Sequence, residues 1–184
     1  KKKGIKALLT REPGGTKSAE LIRNLILKDY FNKTNKDKFD KYTDTLLYLA
    51  ARNEHVKTKI KPALKQKNII ICDRFVDSTI AYQVYGKRVN ENMIKNVHKY
   101  VLDGLKPNLT FVLKVSLKSS KKRLLKRKTS NRYDNFSKSF YNNAQKSFLK
   151  IAQNKKNYFI LESSKNDNFL EKKILEITLK SLDK

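Results

Sequence analysis

The fold prediction rests on residues 69–86, IIICDRFVDSTIAYQVYG. The segment begins with a short, unbroken apolar run at 69–72, which is typical of a strand buried on both faces in a parallel sheet. Asp73 and Arg74 follow directly, and a helical stretch then ends near Gly86. Because ligands of open α/β proteins bind outside the carboxyl ends of the strands, this acid and this arginine would suit Mg²⁺ and a phosphate. A salt-bridged pair at the end of a strand explains the same two residues equally well.

Length and composition indicate one domain that is large enough to bury a core. The chain has 184 residues and contains no apolar stretch long enough to span a membrane. Its single cysteine, Cys72, cannot form an internal disulfide, which fits a reducing compartment and predicts a cytoplasmic protein. We expect Cys72 to be a small buried residue of the strand.

The chain is strongly basic, with a net charge of +26 and a pI of about 10.1. Such a charge favours anionic partners such as nucleotides or nucleic acid. The positive residues are mostly lysines, however, and they are spread over the whole chain without an arginine-rich stripe or tail. Solvated lysine faces explain this pattern better, so the charge alone does not establish nucleic-acid binding.

Apolar runs and helical periodicity alternate along the chain. The runs predict strands at 5–9, 69–72, 109–115 and 158–161. The periodic segments predict helices at 18–28, 42–59, 91–103, 118–128, 135–154 and 170–182. Strands that alternate with helices predict a mostly parallel sheet covered on both sides, in one domain that spans residues 1–184.

Local signals add detail to the helices. Thr16 or Ser18 is expected to cap the first helix and Asn90 a later one, and Pro62 should bend or interrupt the second helix. The lone His98 suits packing or the surface better than catalysis. The inward faces of the first two helices are predicted to be Leu21, Ile22, Leu25 and Ile26, and Leu46, Leu47, Ala50 and Val56.

Two further patterns suggest ligand contacts. The sequence TREPGGT at 10–16 is a tight loop whose glycines let backbone approach a ligand closely, and it places Arg11 at the end of a strand. Tyr48 and Arg52 are four residues apart and share one face of a helix. Such a pair can stack on a base and bond its edge, although the spacing alone favours a core tyrosine beside a surface arginine.

Four motifs together resemble the thymidylate kinase family, and they occur in that family's order and spacing. They are TREPGGT at 10–16, YLAAR at 48–52, DRF at 73–75 with ST at 78–79 and AYQ at 81–83, and PNLT at 107–110. The resemblance covers essentially the whole chain. It implies a three-layer P-loop nucleoside-monophosphate kinase fold with a small lid.

The resemblance also implies an activity and its partners. Family members transfer a phosphoryl group from ATP to dTMP, which gives dTDP for dTTP biosynthesis, and they require Mg²⁺. The expected partner is therefore the small molecule dTMP, with no specific nucleic acid and no membrane. The family is usually a cytoplasmic homodimer that assembles through helices packed beside the sheet.

The family's site residues can be carried over by position. Arg11 and Arg74 would hold the dTMP phosphate, and Asp73 would organise Mg²⁺ through water, in a catalytic role. Tyr48 would stack on thymine and Arg52 would bond the base edge. The base and sugar pocket would be completed by Ser78, Thr79, Tyr82 and Gln83, with Tyr82 against the sugar so that it disfavours a ribose 2′-hydroxyl.

The basic segment at about 121–135 resembles the mobile lid of the bacterial enzymes. Arg127 and Arg132 match the arginines that reach the transferring phosphoryl group, and Arg123 and Arg127 match positions that contact ATP. Charge neutralisation of this kind is central to phosphoryl transfer. The lid lacks the glycine that the family usually has near Arg127.

Two other departures from the family stand out. The phosphate loop GxxxxGK[ST] is not among the 184 residues, and Lys114 stands where the family often has an acid. Since a βαβ unit takes about 30 residues, we expect the natural protein to carry roughly 20–30 residues before Lys1 that hold this loop. The alternative functions are another P-loop deoxynucleotide kinase, and a basic nucleic-acid-binding protein that has lost catalysis.

Overall fold

The computed structural model describes residues 6–28, 39–126, 137–164 and 168–182. The strands are β1 (Ala7–Arg11), β2 (Ile69–Asp73), β3 (Thr110–Lys114) and β4 (Tyr158–Glu162). The helices are α1 (Lys17–Leu27), α2 (Lys41–His55), α3 (Lys61–Lys65), α4 (Val76–Thr79), α5 (Glu91–Leu102), α6 (Leu117–Leu125), α7 (Lys138–Ala152) and α8 (Asn168–Leu182). Their order confirms the predicted alternation.

The strands form two parallel pairs. β1 pairs with β2, and β3 pairs with β4; the described residues contain no ladder that joins one pair to the other. In the first pair Arg11 lies opposite Asp73, and in the second Lys114 lies opposite Glu162. Since both strands of a pair run in the same direction, each pair brings its charged carboxyl-terminal residues to one edge.

Side-chain caps set where the helices begin. The Thr16 hydroxyl accepts a hydrogen bond from the Ala19 N–H at the start of α1, and Asn90 accepts one from Met93 at the start of α5. These bonds satisfy backbone donors that have no partner within the helix. Both predicted caps are confirmed.

Proline interrupts the second helix as predicted. A π-helical turn at Val56–Ile60 separates α2 from α3, and the Lys61 N–H bonds to the Val56 carbonyl five residues back. Pro62, which has no N–H, follows at once. A second π-helical turn, Ile80–Gly86, continues α4. Wide turns of this kind are frequent at functional sites, and both lie beside the site described below.

The predicted helix faces are wrong in part. Ile26 is buried, but Leu21, Leu25, Leu46 and Ala50 are exposed. The buried face of α2 carries polar residues instead, among them Asp44, Thr45, Arg52 and His55. Polar groups can be buried at little cost when they bond to one another. Arg52 and His55 both bond to Glu12, which lies about 40 residues away in sequence.

The strands are not buried on both faces, contrary to the prediction. Burial alternates along β1, and Leu9 is 70% and Ile71 52% exposed. Helices touch the pairs unevenly, with α3 against β2 and α7 against β3 and β4. Cys72 is half-buried rather than buried, and burial raises the pKa of its thiol to about 12. Across the described ranges, no helix has both the length and the apolar character of a membrane span.

Candidate active site

The loop between β1 and α1 folds tightly back on the protein. Gly14 and Gly15 have φ angles of 128° and 90°, which side chains rarely adopt. A Cβ at Gly15 would lie 2.6 Å from Thr10 Oγ1 and 2.7 Å from the His55 ring. The Glu12 N–H donates to the Asp73 carbonyl at 2.9 Å. The glycines therefore allow a close approach of the loop to α2 and β2, while their predicted approach to a ligand stays a prediction.

Glu12 lies at the centre of a buried polar network. Arg52 Nε and Nη2 both lie 2.7 Å from Glu12 Oε2, and His55 Nδ1 lies 3.1 Å from Glu12 Oε1. His55 Nε2 in turn lies 2.6 Å from Thr10 Oγ1. Burial acts to raise the pKa of Glu12, but Arg52 and the His55 hydrogen bond outweigh it and hold the pKa below its ordinary value. Glu12 is thus a carboxylate at neutral pH.

Arg52 is buried, not on the surface. It is 3% exposed, and its Nη1 donates to Thr79 Oγ1 and lies 2.8 Å from His98 Nε2. The guanidinium also lies over the Phe75 ring, 5.5 Å from its centroid. A guanidinium has five N–H groups, and these contacts with Glu12, Thr79 and His98 use four. One N–H of Arg52 has no partner among the described residues.

His98 is a neutral acceptor. Burial and the positive charge of Arg52 lower the pKa of His98 to about 4. A neutral ring that accepts through Nε2 carries its proton on Nδ1. His98 therefore packs inside the protein, which was one of the two possibilities predicted from the sequence. It also bonds to Arg52, a predicted site residue.

Thr79 and Gln83 are four residues apart and both are buried. The Thr79 hydroxyl accepts from Arg52, so its own hydrogen remains able to donate. Gln83 is 1% exposed, and its amide Nε2 has no hydrogen-bond partner among the described residues. Ser78 is half-buried in the same turn of helix. Thr79 and Gln83 thus join Arg52 in presenting donors.

Arg74 and Tyr82 form the next part of the site. Arg74 has a φ of 66°, a left-handed conformation that strains a residue with a side chain. Its guanidinium lies 5.1 Å from the centroid of Tyr82, whose ring packs 5.9 Å from Phe140 and 5.8 Å from Phe148. Tyr48 is half-buried and lies close enough to Arg74 to interact electrostatically. Three predicted site residues therefore lie together.

Arg11 and Asp73 share the strand ends with Glu20. Arg11 Nη2 lies 3.2 and 3.3 Å from the two Glu20 carboxylate oxygens, and the Gly15 N–H donates to Glu20 Oε1 at 2.9 Å. Arg23 lies 4.0 Å from the same carboxylate. A carboxylate therefore occupies a position where two arginines and a backbone N–H converge. Arg11 pairs with Glu20 and lies beside Asp73 without bonding to it.

An open cleft of about 570 Å³ lies at this edge. Its lining includes Asp73, Arg11, Lys59, Thr10 and Thr16. Asp73 is exposed there, and the described residues hold no group of three potential metal-ligating side chains. One carboxylate is nevertheless what Mg²⁺ commonly takes from a protein when substrate phosphates supply the other ligands.

The lid residues are described only in part. Arg123 lies on α6 and donates to the Ser163 carbonyl. Arg127 and Arg132 lie outside the described residues, as does most of the segment predicted as a lid. Lys114, unexplained in the sequence, lies opposite Glu162 in the β3–β4 ladder.

Sequence reasoning missed three residues of the network: Glu12, His55 and Lys59. Lys59 Nζ donates to the Gly15 carbonyl at 2.8 Å and so ties the π-helical turn to the loop. Glu12 stands inside the quoted loop motif, and His55 lies one helical turn after Arg52. Arg52 and His55 are three residues apart and so share one face of α2, and this spacing is the signal that points to His55.

The parallel strand pairs, the helices beside them and the charged strand ends define a P-loop nucleoside-monophosphate kinase fold. A solved structure supports this class: thymidylate kinase from Ehrlichia chaffeensis matches with a TM-score of 0.70 and 31% identity, over 94% of this chain and 81% of that one. A family model described as thymidylate kinase matches residues 1–174. The chain belongs to the thymidylate kinase family, whose function is dTMP phosphorylation in nucleotide biosynthesis.

Two curated relatives agree with this assignment. Thymidylate kinase of Wolbachia sp. subsp. Brugia malayi (strain TRS) is 43% identical over 147 residues, which cover 80% of this chain and 66% of the relative. Thymidylate kinase of Wolbachia pipientis from Culex pipiens (strain wPip) is 38% identical over 176 residues, which cover 94% of this chain and 80% of the relative.

Proposed function

We propose that this chain binds dTMP through the site described above and phosphorylates it with ATP. The observation that carries the proposal is the group of buried hydrogen-bond donors formed by Arg52, Thr79 and Gln83. Buried donors without acceptors are costly, so this group is suited to a ligand that presents acceptors. Tyr48, one turn from Arg52 on α2, supplies a ring on which a base can stack.

The donors favour an oxo-pyrimidine over cytosine. Thymine presents the acceptor O4 at the position where cytosine presents an amino donor. The remaining N–H of Arg52 would bond O4, and the Gln83 amide, which has both a donor and an acceptor, would bond the neighbouring edge. Cytosine would instead leave donor facing donor, which costs a lost bond and an orphaned buried group.

Arg11 and Arg74 would bind the phosphate of the nucleotide. The strained backbone at Arg74 supports this role, because strain of about 1–3 kcal/mol persists mainly at functional sites. Arg11 would exchange the Glu20 carboxylate for the phosphate, since both are anions that fit the same fork. Tyr82 would pack against the sugar, held in place by Phe140 and Phe148.

Asp73 would hold Mg²⁺, most simply through water, and the ion would neutralise charge on the phosphates. Arg127 and Arg132 would neutralise the transferring phosphoryl group, and Arg123 and Arg127 would contact ATP. For Arg123 this role requires release from the Ser163 carbonyl. These assignments, and the lid at about 121–135, rest on matching positions in the family.

A homodimer in the cytoplasm completes the proposal. Exposed apolar side chains on α1 and α2 support it, namely Leu21, Leu25, Tyr42 and Leu46. Large exposed apolar patches commonly mark protein interfaces. Sedimentation equilibrium should give twice the chain mass, and Leu21→Glu together with Leu46→Glu should give the monomer.

The direct test is ATP- and Mg²⁺-dependent conversion of dTMP to dTDP by the purified protein, with dUMP and dCMP as competitors. We expect kcat/KM to be highest for dTMP and lowest for dCMP. Equal turnover of dTMP and dCMP would contradict the base assignment. Salt-sensitive binding of duplex DNA that outcompetes dTMP would favour the nucleic-acid alternative that the charge of +26 suggests.

A further inference from the structure

Groups from three parts of the chain hold the guanidinium of Arg52 in one plane. Glu12 from the loop contacts Nε and Nη2 at 2.7 Å, Thr79 from α4 accepts from Nη1 at 2.8 Å, and His98 from α5 lies 2.8 Å from Nη1. A planar fork with three of its nitrogens engaged can neither rotate nor tilt without breaking a buried bond. The direction of its one remaining N–H is therefore fixed.

We propose that His98 is a positioning residue that sets base discrimination by fixing the plane of Arg52. The inference rests on the proposed function, because it takes Arg52 to be the contact to the base edge. His98 itself need not touch the nucleotide. Without its ring nitrogen, one Nη1 hydrogen would have no acceptor, and the guanidinium would turn to find one.

The position of His98 suits this task. It is 7% exposed, and Ile94 and Val101, which lie on the same face of α5 about one turn on either side, are buried too. The ring accepts a hydrogen bond without adding charge, since burial and Arg52 keep its pKa at about 4. A lysine or arginine here would repel Arg52, and an aspartate would add a second negative charge beside Glu12.

Three variants of the full chain test the proposal. His98→Gln keeps an amide oxygen where Nε2 lies, His98→Leu removes the acceptor at similar volume, and Tyr100→Leu is the control on the exposed face of the same helix. The measurements are the dissociation constants of dTMP and dCMP by calorimetry. We expect His98→Leu to lower the dTMP-over-dCMP preference about tenfold, His98→Gln to restore most of it, and Tyr100→Leu to change nothing.

The outcomes separate this inference from the proposed function. If Arg52→Lys loses the base preference while His98→Leu keeps it, only the role of His98 fails. If Arg52→Lys keeps the preference as well, the base role of Arg52 fails. Should His98→Leu not fold, nitrogen NMR of the unaltered protein at neutral pH decides: a proton on Nδ1 and none on Nε2 supports the proposal, and a protonated Nε2 overturns it.

Discussion

The two strand pairs end alike but have different surroundings. In each pair the last matched residues are a cation and a carboxylate, Arg11 opposite Asp73 and Lys114 opposite Glu162. Behind the first pair lies the buried network of Glu12, which Arg52 and His55 contact. Around the second, Glu162 bonds to Ser164 and the Ser163 N–H donates to the Lys114 carbonyl at 2.7 Å. Charged strand ends alone therefore do not distinguish a site.

The apolar core is divided just as unevenly. Of the twelve buried apolar residues in the described ranges, ten precede residue 102, and only Ala144 and Ala152 follow it. A polar network surrounded by such a core works in a low effective dielectric, where charges interact strongly. Burial of polar groups behind the strand ends, rather than charge at the ends themselves, therefore distinguishes the first pair from the second.

Removing the charge of Glu12 should produce the largest effect. Glu12→Gln keeps the shape but leaves Arg52 buried without its counter-charge, and breaking a buried pair costs about 3–5 kcal/mol. Chemical denaturation measures the free energy of unfolding. The matched variant of the second pair, Glu162→Gln, should leave it unchanged because Glu162 is exposed. Equal losses of unfolding free energy in the two variants would contradict the difference between the two strand pairs.

Low pH should lower the free energy of unfolding through His98. The pKa of His98 is about 4 in the folded protein and ordinarily 6.5. Between these two pH values the unfolded chain binds a proton on His98 and the folded protein does not. Stability should thus fall as the pH drops from 6.5 to about 4, by about 3 kcal/mol in total. His98→Gln should flatten this slope above about pH 5, where carboxylates such as Glu12 do not yet take up protons. An unchanged slope in His98→Gln would contradict this assignment.

Relieving backbone strain should have a smaller effect of opposite sign. Arg74→Gly suits the φ of 66° and should stabilise the fold by about 1 kcal/mol, while dTMP binding is lost with the guanidinium. Asn154→Gly, at a φ of 62° in the second half, should gain less because asparagine tolerates this conformation. Thermal unfolding and calorimetry measure the two properties. A destabilised Arg74→Gly would show that its contact with Tyr82 outweighs the strain.

Local signals in the sequence predicted much of the fold. The caps at Thr16 and Asn90, the break at Pro62 and the alternation of strands and helices depend on a few neighbouring residues. Faces of helices depend on what packs against them. Leu46 was expected inside and is exposed, because α2 turns Arg52 and His55 inward to meet Glu12, about 40 residues away in sequence.

The candidate site also has features that local sequence signals predict and features that depend on distant partners. The family motifs predicted site roles for Arg11, Asp73, Arg74, Thr79 and Gln83, whose positions follow from strand ends and helical spacing. They did not indicate that Arg52 is buried, because burial of a charge requires partners that local spacing cannot reveal. The pairing of Arg11 with Glu20 was missed for a related reason: the loop folds back over nine residues before the two side chains meet.

The smallest expected effect concerns that pairing. Under the proposed phosphate role of Arg11, Glu20 would compete with the phosphate, so Glu20→Gln should free the arginine while its amide oxygen still accepts from the Gly15 N–H. Exposed pairs contribute about 0.2–1 kcal/mol, so the KM for dTMP should fall no more than about fivefold. The effect should shrink at high salt, because salt screens exposed charges. Glu176→Gln, which breaks exposed pairs with Lys173 and Lys180 in α8, should leave KM unchanged. A higher KM in Glu20→Gln would mean that Glu20 holds Arg11 in its binding position and does not block it.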